Sequence, residues 1–366
     1  MGIYGFFVEP LSSEFGVGVA ILNVGPVALL FVPAILGAWI GKMADQLPIR
    51  NILLVGVTLG MLSLMAISHA PTLWLVALGF LSFSLGLTLY GPVVVNGLMV
   101  KLYPGREARA LAVVAMGMSL AAGTLPPLVG TLLEYYSWRA ALQSLAAGAL
   151  VVLWLAILIG IPKDVVLTPP TADAPVAKGF ASNKAFWLIG LCVALAMNVA
   201  IVLAVCYPPL FASKGYTMAD AGWFLALAGM TGLVGKSFLA WQGDDVRHYV
   251  KWLAAAMLIL QSAGLGLLFT ATNVSEMIPA MCLLGFSGGA FLPMHPYLNS
   301  RYFDASIISQ VTGAQMPLFL PFGLVGAPLA GYAFDQTGNY DVVLIALAAT
   351  LCLAALLALG LPKQAK

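Results

Sequence analysis

Residues 185–211 read AFWLIGLCVALAMNVAIVLAVCYPPLF, a stretch without a single charged side chain. As a helix that rises about 1.5 Å per residue, it is longer than the roughly 30 Å hydrocarbon core of a bilayer. The whole 366-residue chain has the same character, with 61% apolar and only 8% charged residues. Since a soluble domain carries about 25% charged residues, this composition excludes a soluble globular protein.

Ten more apolar blocks are each long enough for a transmembrane helix. Helices satisfy their own backbone hydrogen bonds, which lipid requires of an open chain. The first 14 residues form a further, shorter apolar stretch, in which we expect an incomplete first helix. The ten blocks are 17–40, 51–69, 73–98, 108–133, 140–161, 221–242, 251–271, 276–299, 306–333 and 341–361.

The basic residues between these blocks predict the orientation. If the loops alternate between the two sides of the membrane, one side holds only Arg139 and Lys214. Lys and Arg are enriched in cytoplasmic loops. We therefore expect a protein of the cell (inner) membrane whose other side, including the C-terminus, faces the cytoplasm. That side collects Lys42, Arg50, Lys101, Arg106, Arg109, Lys163, Lys178, Lys184, Arg247, Lys251, Arg301, Lys363 and Lys366.

The two halves of the chain resemble each other at an offset near 200 residues. Pro127-Leu128-Val129-Gly130 recurs as Pro328-Leu329-Ala330-Gly331, and Asp45 corresponds to Asp244 or Asp245. Two like halves are typical of transporters, which bind substrate where the halves meet. We therefore predict an all-α integral membrane protein with about 11.5 transmembrane helices. Its six-helix halves are 1–161 and 184–366, and a cytoplasmic linker, 162–183, joins them.

The repeat also bears on the incomplete first helix. Met1 aligns with Ala200, which lies midway through a helix that starts near Lys184. One interpretation is that the chain is N-terminally truncated. The other is a natural eleven-helix protein with a re-entrant start.

The sequence lacks the residues that several classes of function require. A net charge of +2 offers no basic surface for nucleic acid. The sequence shows no nucleophile with a base, no metal-ligand cluster and no phosphate-binding glycine loop, so we expect neither an enzyme nor a cofactor or metal. Four cysteines lie inside apolar blocks without CxxC spacing, and we interpret them as buried small hydrophobes: Cys192, Cys206, Cys282 and Cys352.

Lys236 is a cation inside an apolar block. It precedes Asp244 by eight residues, or about 12 Å of helix, which places it near the bilayer midplane. A lysine there costs about 2.5–3.5 kcal/mol on insertion scales, a cost that an anion in a wet cavity would offset. This interpretation treats the spans as free of acidic residues, so that a carboxylate substrate supplies the counter-charge. The alternative is that Lys236 snorkels toward the interface.

Uncharged polar side chains and one histidine also lie in the spans. His295, between Pro293 and Pro296, is a candidate proton relay, and the alternative is that it donates to a freed backbone carbonyl. The others either line a substrate pathway or bond neighbouring helices. Two tyrosines stand beside prolines that we expect to open their helices. These candidates are Tyr90 (beside Pro92), Tyr207 (beside Pro208 and Pro209), Asn96, Gln315, Asn198 and Asn23.

Residues 41–50 read GKMADQLPIR. They resemble the loop 2–3 signature G-x-x-x-D-x-x-G-x-R/K of the major facilitator superfamily, with Pro48 in place of the second glycine. The resemblance implies that Gly41, Asp45 and Arg50 latch the cytoplasmic side shut, with Arg50 pairing across the loop. The simpler alternative is that Asp45 only caps a helix.

Further stretches resemble monocarboxylate-transporter-like members of that superfamily. They are GIYGFF at 2–7, REARALA at 106–112, WRAA at 138–141 and GYAFD at 331–335. The resemblance adds Arg109 to the gate motif. It places Lys236 where the family has an arginine that contacts the substrate carboxylate, and it places Met1 where the family has an acid.

The sequence thus predicts a monomeric secondary transporter in a lipid bilayer. It would move a small organic anion, such as a monocarboxylate, by alternating access, with or without a coupled proton. One alternative is efflux of an apolar or cationic compound by the same fold. Another is a membrane sensor that does not transport.

Overall fold

The computed structural model describes residues 4–17, 25–161, 179–216 and 218–362, and these residues form helices and no strands. Met1, Asn23 and most of the expected linker lie outside the described residues. The helices are α1 (Gly5–Phe15), α2 (Gly25–Gln46), α3 (Ile49–Ser68), α4 (Leu73–Tyr90), α5 (Pro92–Leu102), α6 (Glu107–Tyr135), α7 (Trp138–Gly160), α8 (Lys184–Ser213), α9 (Met218–Gln242), α10 (Val250–Thr270), α11 (Val274–Phe291), α12 (Met294–Tyr302), α13 (Ile308–Gln315), α14 (Phe319–Thr337) and α15 (Asp341–Leu359).

Where the structure describes them, the apolar blocks lie in one helix or in two consecutive helices. Within the described residues, nine helical stretches are long and apolar enough to cross a bilayer. The described part of the block 17–40 from residue 25 onward lies in α2, and the block 108–133 lies in α6. The prediction of an all-α membrane protein is confirmed.

Prolines break some helices and leave another intact. The helical conformation is interrupted at Gly91-Pro92, between α4 and α5, and again at Leu292-Pro293, between α11 and α12. Proline lacks an amide hydrogen and clashes with the preceding turn, which explains both breaks. The expectation that Pro208 and Pro209 open the helix at Tyr207 is wrong, because α8 is continuous through them.

Two other sequence expectations need correction. The interpretation of Lys236 assumes no acid in the apolar stretches, but α1, which lies in the expected short first stretch, contains Glu9 and Glu14. The cysteines are also not uniformly buried: Cys192 and Cys206 are buried free thiols, but Cys352 is exposed.

The helices form two compact units. Unit 1 comprises Met1–Lys101, Met118–Pro175 and Ala305–Met316, and unit 2 comprises Leu102–Gly117, Val176–Asp304 and Pro317–Lys366. Unit 1 is mostly N-terminal sequence but also contains α13. Unit 2 is mostly C-terminal sequence but also contains the first part of α6. The division into halves at 1–161 and 184–366 stays a prediction.

Glycines set the closest helix contacts in each unit. In unit 1, α2 and α13 pack so tightly that a Cβ on Gly37 would meet the backbone of Gly313. In unit 2, a Cβ on Gly235 of α9 would meet the carbonyl oxygen of Phe286 in α11. Small residues at such positions let membrane helices approach closely, and these contacts position the side chains described next.

Candidate functional site

Asp45, in the last turn of α2, caps the start of α13 in unit 1. Its carboxylate accepts hydrogen bonds from the backbone N–H groups of Ser309 (3.3 Å) and Gln310 (2.9 Å). The first N–H groups of a helix have no partner within the helix and carry partial positive charge. A carboxylate at this position therefore satisfies two of these donors and complements the helix dipole.

The cap also contains a buried ion pair. Lys101 Nζ, from the last turn of α5, lies 2.7 Å from Asp45 Oδ1, and the side chains are only 7% and 4% exposed. Sequence reasoning missed Lys101 as a site residue, because nothing in its local pattern connects it to a carboxylate 56 positions earlier. We call Asp45, Lys101 and the N-terminus of α13 the first cap.

Glycines bring the first cap together. A Cβ on Gly41, one turn before Asp45, would collide with the carbonyl oxygen of Ser309, and a Cβ on Gly97 would collide with the Ser309 hydroxyl. The close approach of Ser309 therefore explains why a glycine stands at position 41 of the signature. Arg50 does not pair across the loop as expected: it donates to the Leu158 carbonyl oxygen at 3.3 Å, at the end of α7.

Asp244 makes the equivalent cap in unit 2. It follows α9, and its carboxylate accepts from the backbone N–H groups of Ala108 (2.9 Å) and Arg109 (3.2 Å) at the start of α6. Arg109 contributes its backbone to this cap, and the residue is exposed. The buried Tyr297 donates its hydroxyl to the Gly243 carbonyl oxygen at 2.7 Å, which anchors the same turn. We call Asp244 and the N-terminus of α6 the second cap.

The electrostatic surroundings of Asp244 differ from those of Asp45. No described cation forms an ion pair with Asp244, and Glu107 and Asp245 lie near enough to repel it. Burial raises the pKa of Asp244 above its ordinary value, the two like charges add to that rise, and the two backbone hydrogen bonds oppose it. Glu107 accepts a hydrogen bond of 2.9 Å from the backbone N–H of Gly105.

The other candidates in unit 2 lie in or beside bilayer-crossing stretches. Lys236 is 7% exposed and directly follows Gly235, at the tight contact of α9 with α11. His295 is the second residue of α12, just after the break, and its ring makes an edge contact with Phe319 at 5.4 Å between centroids. Tyr207 stacks on Phe211 at 5.6 Å in the continuous part of α8.

Three further candidates, Tyr90, Asn96 and Gln315, belong to unit 1. Tyr90 is the last residue of α4, and its ring lies close to Gly60 of α3. Asn96 is half-buried in α5, on the other side of the Gly91-Pro92 break. Gln315 is the last residue of α13 and is completely buried. Within the described ranges, no group of three or more His, Cys, Asp or Glu side chains is arranged to hold a metal ion.

Known proteins of similar sequence are transporters. The family model of the Major Facilitator Superfamily matches residues 1–316. Monocarboxylate transporter 13 of Rattus norvegicus is 25% identical over 317 residues, which cover 83% of this chain and 71% of the relative. Monocarboxylate transporter 12 of Rattus norvegicus is 23% identical over 366 residues, which cover 88% of this chain and 74% of the relative.

Solved structures share the fold at low sequence identity. The proton:xylose symporter XylE has a TM-score of 0.77 at 14% identity, with 99% of this chain and 92% of that chain covered. The human organic anion transporter MFSD10 has a TM-score of 0.74 at 14% identity, with 98% of this chain and 89% of that chain covered. These families and neighbours are transporters and not enzymes. The match over most of its length, together with its membrane-spanning helices, makes this chain a member of the Major Facilitator Superfamily, similar to its monocarboxylate transporters.

Proposed function

We propose that this chain is a secondary transporter that moves a small organic anion, with a monocarboxylate as the first candidate, by alternating access. The observation that carries the proposal is Lys236, a buried cation within a bilayer-crossing helix. A lysine at such a depth is costly and is most often functional. The names of the similar monocarboxylate and organic anion transporters support an anionic cargo for this chain.

The same proposal assigns roles to the other candidates. Tyr90, Tyr207, Asn96 and Gln315 would line the pathway, and His295 would relay a coupled proton, since its ordinary pKa range lies near neutrality. Asp45 would hold the cytoplasmic side closed through the first cap, because a rocking motion of the sequence halves has to separate it from α13. Gly41 and Arg50 would support that loop, and Arg109 would take part through the second cap. The linker and the C-terminus would face the cytoplasm, and the protein would act as a monomer.

A second candidate function is efflux of a cationic or apolar compound. Glu9 in the mostly apolar helix α1 favours it. In this function α1 would lie in the membrane, where an acid is a typical partner for a cation. The two functions differ in what they predict for removal of the Lys236 charge: anion transport requires that charge, and efflux of a cation does not.

Transport by purified protein in proteoliposomes tests the proposal. Lys236→Ala removes the positive charge and should abolish uptake of labelled monocarboxylates, whereas Lys236→Arg should retain part of it, since charge is kept while donor geometry changes. Lys184→Ala, the same substitution at an exposed position at the start of α8, is the matched control and should transport normally. Uptake by Lys236→Ala at the unmutated rate would refute the anion proposal and favour efflux.

A further inference from the structure

A groove of about 600 Å³ runs along the surface of unit 1 between α3 and α4. Three leucines on its walls, Leu62, Leu75 and Leu78, are 51%, 47% and 60% exposed. Both helices belong to stretches that can cross a bilayer, and leucines exposed at such positions are stable in contact with hydrocarbon rather than water. The groove is lined by Leu59, Leu62, Ser63, Ala66, His69, Ala70, Pro71, Leu75, Leu78, Gly79 and Ser82.

The length of the groove matches one leaflet of a bilayer. Its lining runs along α3 from Leu59 to His69, just past the end of that helix. Ten residues of helix rise about 15 Å, which is half of a roughly 30 Å hydrocarbon core. A groove of this length suits a single acyl chain.

The floor of the groove accepts such a chain without leaving polar hydrogens unsatisfied. Ser63 Oγ lies 2.6 Å from the Leu59 carbonyl oxygen and 2.8 Å from Ser82 Oγ. These two contacts accommodate the hydroxyl hydrogens of both serines. Covering them with hydrocarbon therefore avoids the cost of burying an unpaired donor.

The end of the groove at His69 is polar. His69 Nε2 lies 3.1 Å from the amide nitrogen of Gln143. The roles of the two nitrogens depend on the tautomer of His69. An amide has two N–H donors and an imidazole at least one, so this contact does not use all the donors of the pair. Phosphate and ester oxygens are acceptors that fit them.

The charge near this end also suits a phospholipid. The Arg139 guanidinium donates to the carbonyl oxygen of Ala70, a groove residue, at 3.0 Å and pairs with Glu14 at 2.5 Å. The two charges of this pair cancel, so a head group that is zwitterionic, and therefore also neutral overall, meets no net repulsion at this end. We propose that the groove is a binding site for one acyl chain of a zwitterionic phospholipid whose phosphate lies at His69 and Gln143.

Photo-crosslinking tests this site on the full chain. The probe is a phosphatidylcholine that carries a diazirine near the end of one acyl chain, and the readout is labelled peptide within 59–82. Wild-type protein should be labelled there, and Ala66→Trp, which fills the groove from an exposed position, should reduce labelling to background. Ala156→Trp, at an exposed position on α7 outside the groove, is the matched control and should label as wild type does.

Other outcomes overturn the proposal. Background labelling of the wild type within 59–82 would do so, as would undiminished labelling of Ala66→Trp. If Ala66→Trp unfolds in a melting assay, Leu62→Trp replaces it and must give the same loss. A free fatty acid with the same diazirine should label these peptides more weakly. If it labels them equally well, the head-group contacts at His69 and Gln143 contribute nothing and the assignment to a phospholipid fails.

Discussion

The two caps have the same backbone geometry and opposite electrostatic surroundings. Asp45 caps α13, and Asp244, about 199 positions later in the repeat, caps α6. Each carboxylate accepts from two consecutive backbone N–H groups at a helix start. Asp45 has Lys101 beside it, whereas Asp244 has Glu107 and Asp245. The comparison teaches that the repeat preserves helix capping while the neighbouring charge has diverged.

This difference should make the caps unequal in strength. In the first cap, two buried charges depend on each other, and removing one partner of a buried ion pair costs about 3–5 kcal/mol. In the second cap, the carboxylate gains only the helix N-terminus, and losing such a cap costs about 0.5–2 kcal/mol. The following variants test that inequality.

The largest effect is expected for Asp45→Asn. Asparagine keeps an oxygen that can accept from Gln310 but leaves the buried Lys101 ammonium without its counter-ion. The apparent free energy of unfolding in detergent should fall by about 3–5 kcal/mol. The double variant Asp45→Asn with Lys101→Met removes both charges and should recover part of that loss. If the double variant is no more stable than Asp45→Asn alone, the buried pair is not what distinguishes the first cap.

The first cap also shows how far the sequence could predict the site. Asp45 and Gly41 stand in a recognisable signature, so their importance could be anticipated. The partners of Asp45 could not, since Gln310 lies 265 positions away and Lys101 56 positions away along the chain. Local pattern carries no information on such long-range contacts.

The helices themselves were more predictable than their interruptions. Apolar length located the nine stretches of the described residues that can cross a bilayer, because lipid leaves the backbone few alternatives to a helix. Proline alone did not locate the breaks: Gly91-Pro92 ends a helix in mid-span, whereas Pro208 and Pro209 lie within four to five residues of the end of α8. Glu9 and Glu14 did not stand out because the other residues of α1 are mostly apolar.

A smaller effect is expected for Asp244→Asn. This variant keeps one acceptor oxygen for Ala108 or Arg109, leaves no buried cation behind, and relieves the repulsion from Glu107. The apparent free energy of unfolding should fall by at most about 1 kcal/mol. A loss equal to or larger than that of Asp45→Asn in the same detergent would contradict the inferred ranking of the two caps.

The smallest effect is expected in the pH dependence of the second cap. Because burial and two like charges raise the pKa of Asp244 in the folded protein, the folded state holds this proton at a higher pH than the unfolded chain does. The stability linked to the proton is therefore fully present below the ordinary pKa of about 3.9 and is lost as the pH rises through the folded-state value. Melting temperatures measured upward from pH 4 should decline less steeply in Asp244→Asn than in the wild type. Identical slopes would mean that Asp244 does not titrate in this window, and that the charge around the second cap matters less than its two backbone hydrogen bonds.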